Sequence, residues 1–140
     1  MLAACHTAPT PGPLIVAAPV CSDFTISIYF EANSAKVGHD AGALIDAAVK
    51  QAHGCAVTGV SVLGLSDAAG DPNANLVLSK HRAREVMKAL ARRGVTNVEF
   101  RLMAAGDTGA ETKSGLAKPL RRRADVQFHL TERPPWKGGK

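Results

Sequence analysis

Asp67 and Arg82 are the residues whose types and spacing carry the most chemistry in this 140-residue chain. The carboxylate sits in Gly64-Leu65-Ser66-Asp67-Ala68-Ala69-Gly70, a loop that leaves an apolar, β-branched run. The guanidinium follows fifteen residues later in Asn75-Leu76-Val77-Leu78-Ser79-Lys80-His81-Arg82-Ala83, one to two turns into a stretch of helical period. A loop at the carboxyl end of a strand can fold back so that both groups face one cleft. An anionic and a cationic site a few ångströms apart suit a zwitterionic head, with an ammonium and a carboxylate on one carbon. The acid takes the ammonium, and the planar guanidinium takes the carboxylate through two parallel bonds, a fork that lysine does not reproduce. Spacing alone equally allows a solvated ion pair worth roughly 0–1 kcal/mol, so the surrounding residues must decide.

The elements that would position this pair read off the hydrophobic period. Phe24 to Phe30 alternates and then turns apolar, a strand. Ala41, Leu44, Ile45, Ala48 and Ala52 follow helical spacing with Gly54 as a stop. Val57 to Leu63 is a second strand, and Leu76, Ser79, Ala83, Val86 and Leu90 mark one face of a second helix closed by Gly94. Val98 to Ala104 reads as a third strand. A loop from Gly106 to Pro119 follows, with room for one short helical turn. Ala124, Val126, Phe128 and Leu130 alternate with Asp125, Gln127 and His129, a last strand with one solvated face. The order β-α-β-α-β-loop-β predicts an α/β (α+β) two-layer sandwich, a four-stranded mixed sheet with the helices on one face. No internal repeat is visible.

Before and after this domain, expected over residues 21–130, the composition changes. Residues 1–20 are rich in Ala, Pro and Thr, which reads as an extended tether, and residues 131–140 read as a disordered basic tail. Apolar residues make up 46% and charged residues 21%, which excludes a disordered or collagen-like chain. No stretch approaches the roughly 20 apolar residues of a membrane-spanning helix. Charge is unevenly spread: residues 1–70 hold two bases against five acids, and residues 71–140 fifteen bases against seven acids. The basic half admits a nucleic acid, a membrane surface, an anionic polymer or simply a solvated face. Nucleic acid is disfavoured, because no base-reading helix or aromatic stacking platform is apparent.

Cys5, Cys21 and Cys55 are too far apart for a zinc site, and the five histidines show no ligand spacing, so no metal or other cofactor is expected. Leu2-Ala3-Ala4-Cys5 resembles a bacterial lipobox, which would make Cys5 a diacylated membrane anchor; the alternative is an ordinary tail cysteine. Cys21 and Cys55 each precede a strand. Neighbouring strands would bring them together as a disulfide in an oxidising compartment, the alternative being two small buried thiols.

Four short stretches together resemble the OmpA-like peptidoglycan-binding domain of outer-membrane porins, peptidoglycan-associated lipoproteins and flagellar stator subunits. Phe30-Glu31-Ala32-Asn33-Ser34 is similar to the family's Phe-x-x-x-Ser. Gly64-Leu65-Ser66-Asp67 with Gly70 follows its Gly-His-Thr-Asp-x-x-Gly at the glycines and the aspartate. Asn75, Leu78, Ser79, Arg82 and Ala83 match Asn-x-x-Leu-Ser-x-x-Arg-Ala in full, and Arg121-Arg122-Arg123-Ala124 matches Asn-Arg-Arg-Val at its two arginines. Leu65 and Ser66 depart from the family's histidine and threonine, and Arg121 from its asparagine.

The resemblance implies that Asp67 and Arg82 hold the free end of diaminopimelate in the peptidoglycan stem peptide, and that Asn75, Arg122 and Arg123 line the same cleft. Helix capping is the other role open to Asn75. A non-catalytic binding module follows, anchored by lipid at Cys5 on the periplasmic face of the outer membrane and tethering the envelope to the cell wall. The alternative is an interaction subunit of an envelope secretion or conjugation apparatus that no longer binds peptidoglycan. An enzyme is not expected: His81, the histidine near the pair in sequence, has no nucleophile at a recognisable spacing, and no Gly-rich phosphate loop occurs.

Overall fold

The computed structural model describes residues 9–13, 20–66, 70–96, 99–106 and 122–135, with residues 99–106 described by their backbone alone. The elements in chain order are β1 (Phe24–Tyr29), α1 (His39–Ala52), β2 (Ala56–Leu65), α2 (Pro72–Arg92), β3 (Glu99–Gly106) and β4 (Arg123–Thr131). The strands form one sheet in the order β1-β4-β2-β3. β4 is antiparallel to β1 and β2, and β2 is parallel to β3. This is the expected mixed four-stranded sheet and the expected α+β class.

Alternation along the strands decides what each face buries. Ile28, Val60, Val62, Ala124, Val126 and Phe128 point toward the helices and are buried, packed with Ile45, Ala48 and Ala52 of α1 and Ala83, Val86, Ala89 and Leu90 of α2. The ring of Phe128 also stacks on that of its cross-strand partner Phe24 at 4.7 Å. Ser27, Ser61, Asp125, Gln127 and His129 alternate onto the opposite face.

The two helices are specified to different degrees. α1 starts after Gly38 without a side-chain cap, and Leu44, expected on its apolar stripe, is 40% exposed. α2 starts on Asp71, whose carboxylate accepts from the N–H groups of Asn73 and Ala74 at 3.3 Å each, with Pro72 at the first helical position. It ends at Gly94, in the left-handed region at φ 83. Its buried face runs through Asn75, Ser79, Arg82, Ala83, Val86, Ala89 and Leu90. Leu76, expected on this face, lies at the surface instead.

Gly64 explains that rotation. A Cβ built on it would lie 1.8 Å from the carbonyl oxygen of Ser79. The backbone of α2 therefore rests directly on β2, which demands no side chain on the strand and a small one on the helix.

Cys21 and Cys55 form a disulfide with Cα atoms 5.6 Å apart. The route differs from expectation. β1 and β2 are not neighbours, because β4 lies between them. The bridge instead joins the chain before β1 to the start of β2, across the end of β4. β4 continues to Thr131, one residue into the expected tail, and Arg133 Nε donates to the Cys55 carbonyl at 3.2 Å. Cys5, the expected 106–119 loop beyond Gly106, and residues 136–140 lie outside the described residues.

Candidate functional site

Arg82 is the centre of the site, and its surroundings follow from three of the four sequence stretches. It projects from the buried face of α2 and is 0% exposed. Its Nε donates to the Ser34 carbonyl at 2.9 Å, Nη1 to the Leu65 carbonyl at 3.1 Å and Nη2 to the Glu31 carbonyl at 3.1 Å. The guanidinium carbon lies 5.2 Å from the centroid of the Phe30 ring, within cation–π range. A buried charge is costly unless it is compensated by oriented partners. Here carbonyl dipoles from two separate segments and one aromatic face provide that compensation.

The segment after β1 is shaped to supply them. Ser34 N–H donates back to the Glu31 carbonyl at 3.2 Å, closing a turn in which Asn33 takes φ 54. Ser34 Oγ accepts from the Lys36 N–H at 3.1 Å. Phe30 N–H donates to the Arg122 carbonyl at 2.8 Å and so extends the β1–β4 pairing by one step. The Phe-x-x-x-Ser stretch is thus the receptacle for Arg82, and Arg122 adjoins it through the Phe30 backbone.

The other expected site residues fall into three groups. Asn75 is buried in the first turn of α2, two turns before Arg82 on the same helix face; it is not the helix cap, which is Asp71. Arg123 directs its Nε to Asp125 at 2.9 Å on the face away from the helices, where Asp125 also accepts from Ser27 at 2.7 Å. Of the two arginines at the start of β4, Arg122 is therefore the one beside the Arg82 receptacle. Asp67 lies outside the described residues, as do Ala68, Ala69 and Arg121. His81 is on the surface, 3.5 Å from Glu85.

Two features escaped the sequence reading. Ser66, directly before Asp67, is 1% exposed and its Oγ has no hydrogen-bond partner among the described residues. Leaving a hydroxyl buried and unbonded costs about 1–3 kcal/mol. Leu65, where the resemblance has histidine, is 5% exposed, and its carbonyl serves Arg82. The position keeps its main-chain role while its side chain joins the core. The orphan hydroxyl leaves no trace in sequence. The arginine receptacle does, because Phe30, Ser34 and Gly64 are themselves among the residues by which the four stretches resemble the family.

The chain belongs to the OmpA family, whose model matches residues 29–123. Among solved structures it is similar to the peptidoglycan-associated lipoprotein from Burkholderia pseudomallei, with 25% identity over 73% of this chain and 88% of that one, at a TM-score of 0.58. It shares its fold with the cell wall anchor of the T6SS from Pseudomonas aeruginosa, at 21% identity, coverage of 78% and 82% and a TM-score of 0.61. It shares it also with the periplasmic domain of Helicobacter pylori MotB, at 18% identity, coverage of 79% and 78% and a TM-score of 0.61. No curated protein sequence matches the chain.

Proposed function

We propose that this domain binds peptidoglycan non-covalently, gripping the free ammonium and carboxylate of diaminopimelate in the stem peptide between Asp67 and Arg82. The observation that supports this reading is the position of Arg82 against the end of β2, where its Nη1 donates to the carbonyl of Leu65, two residues before Asp67. Asp67 is two residues further along the chain, so its Cα is within about 7 Å of the Leu65 Cα whatever the loop conformation. Asn75, on the same face of α2 as Arg82, and Arg122, whose carbonyl accepts from Phe30 N–H, would complete the cleft, whereas Arg123 turns to the opposite face of the sheet. A lipid on Cys5 would hold the domain to the periplasmic face of the outer membrane, with the Pro-rich segment as spacer. No nucleic acid, metal or cofactor enters this reading.

The test is an NMR titration of the oxidised chain with a soluble diaminopimelate-containing muropeptide. Amide shifts should move at Asp67, Asn75 and Arg82, and Asp67→Asn should abolish the movement while preserving a folded spectrum. A muropeptide that moves none of these resonances refutes the reading.

One observation favours a second reading. With Leu65 packed inward, the loop lacks the polar side chain that the family places there, which fits an interaction subunit of an envelope secretion or conjugation apparatus that no longer binds peptidoglycan. Pull-down on purified sacculi separates the two: retention of wild type and loss with Asp67→Asn supports cell-wall binding.

A further inference from the structure

On the sheet face turned away from the helices, three side chains distant in sequence form one hydrogen-bonded series. Ser61 of β2 places its Oγ 3.0 Å from His129 Nε2. His129 Nδ1 lies 3.0 Å from Asp23 Oδ2. The other oxygen of that carboxylate, Oδ1, accepts from the Leu130 main-chain N–H at 2.9 Å, which fixes its orientation. That main-chain bond and the one to His129 hold the Asp23 carboxyl below the usual aspartate range, so it is ionised at neutral pH. An anion facing Nδ1 keeps the proton of a neutral imidazole there and turns the Nε2 lone pair toward the Ser61 hydroxyl. A nucleophile bonded to a base, and a base oriented by a third group, is the arrangement by which serine is activated. Strand register adds Gln127 of β4 as the direct partner of Ser61, with an exposed amide on the same face.

We propose that Ser61, His129 and Asp23 constitute an acyl-transfer site for small activated esters, independent of the Arg82 site. Ser61 Oγ attacks the ester carbonyl and forms the new C–O bond while His129 Nε2 takes its proton. The bond to the leaving alkoxide breaks and His129 returns the proton to it. Water then cleaves the acyl-serine with His129 again as base. Asp23 is a positioning residue that touches no substrate. The substrate class follows from the surroundings. Around Ser61, from Gly59 to Gly64, β2 is paired on both sides, so the N–H groups there are engaged in the ladder and do not stabilise an oxyanion. A side-chain amide such as that of Gln127 is left to do so. Ser61 itself is 9% exposed on a sheet surface. Such a site acts on small acyl groups with good leaving groups and not on peptides.

The experiment treats the oxidised full-length chain with a fluorophosphonate probe and maps the adduct by peptide mass spectrometry, with p-nitrophenyl acetate hydrolysis in parallel. One phosphonyl group on Ser61 is expected, together with esterolysis that Ser61→Ala loses. His129→Gln should slow labelling by about 10²-fold or more. Asp23→Asn should slow labelling while its circular dichroism stays native, and should move the His129 ring-nitrogen shifts away from the Nδ1–H form. No adduct on folded wild type, an adduct confined to other residues, or Ser61 labelling at an unchanged rate in His129→Gln overturns the proposal.

Discussion

Replacing Gly64 with alanine should destabilise the domain, although alanine is ordinarily the better strand residue by about 0.5–1 kcal/mol. The reason is local geometry. The new Cβ would stand 1.8 Å from the Ser79 carbonyl oxygen, 2.6 Å from its carbonyl carbon and 3.2 Å from its Cα, where ordinary contact begins at 3.4 Å. All three neighbours are main chain and cannot swing aside, so α2 must retreat by about 1.5 Å to reach van der Waals distance. Leu65 is the next residue, and its carbonyl accepts the 3.1 Å bond from Arg82 Nη1. A retreat of that size carries this bond past hydrogen-bonding range. Overpacking costs about 1–3 kcal/mol, and a buried donor stripped of its acceptor costs about 1–3 kcal/mol more. After the gain in strand propensity, a net loss of about 1–5 kcal/mol is expected. Urea unfolding of the oxidised chain measures it as a fall in midpoint at constant m. A change within about 0.5 kcal/mol, the range of neutral surface substitutions, would refute the close approach of β2 and α2 and the placement of the arginine that depends on it.

Four further outcomes follow from the same geometry. Arg82→Lys retains the charge but not the three-way fork, so at least one of the Ser34, Leu65 and Glu31 carbonyls loses its donor; thermal unfolding should show a loss of about 1–3 kcal/mol. Reducing the Cys21–Cys55 bridge, which spans 34 residues, should cost about 4 kcal/mol in the chain-entropy treatment, read as the difference in urea midpoint with and without a thiol reductant. Ser66→Ala removes an unbonded buried hydroxyl and should leave the free protein equally or more stable by the same assay, whereas a loss above about 1 kcal/mol would show that the hydroxyl is bonded in solution. The lowered carboxyl of Asp23 contributes stability that is present above its ordinary value of 3.8 and lost as pH falls through the folded value below it. Carboxyl-carbon NMR should place its midpoint under 3.8, and Asp23→Asn should remove that portion of the acid dependence.

The strands and helices were legible because their periods are clear, and the class followed from their order. What the period could not show was which residues pack where two backbones touch. Leu76 satisfies the helical stripe as well as Asn75 does. It is the absence of a side chain at Gly64 that turns α2 to present Ser79 and Arg82 inward, and that contact joins segments fifteen residues apart. The disulfide was readable as a pairing but not as a route, since strand order depends on long-range register that places β4 between β1 and β2. The Ser61–His129–Asp23 series is the extreme case. Its members are separated by 68 and 106 residues, and only the sheet brings them together.

Arg82 shows why the proposed clasp and the fold were legible together. An arginine waiting on the surface for an anion would shed water and side-chain freedom when the ligand arrived. This one has already done so during folding, since its guanidinium is removed from solvent and fixed by three carbonyls and the Phe30 ring. Preorganisation of this kind lowers the cost of association without adding a contact. It also ties the site to stability, because any substitution at Arg82 loosens the turn after β1, the end of β2 and α2 at once. Loss of muropeptide binding in an Arg82 variant is therefore ambiguous by itself. The informative comparison is between Asp67→Asn and Arg82→Lys, each measured for affinity and for urea midpoint. If the arginine is both ligand and structural tie, Arg82→Lys lowers both quantities, whereas Asp67→Asn lowers affinity by a larger factor than its change in stability accounts for. Equal and proportionate losses in the two variants would mean that binding reports only whether the domain is folded, and the assignment of the pair as a clasp for a zwitterion would fall.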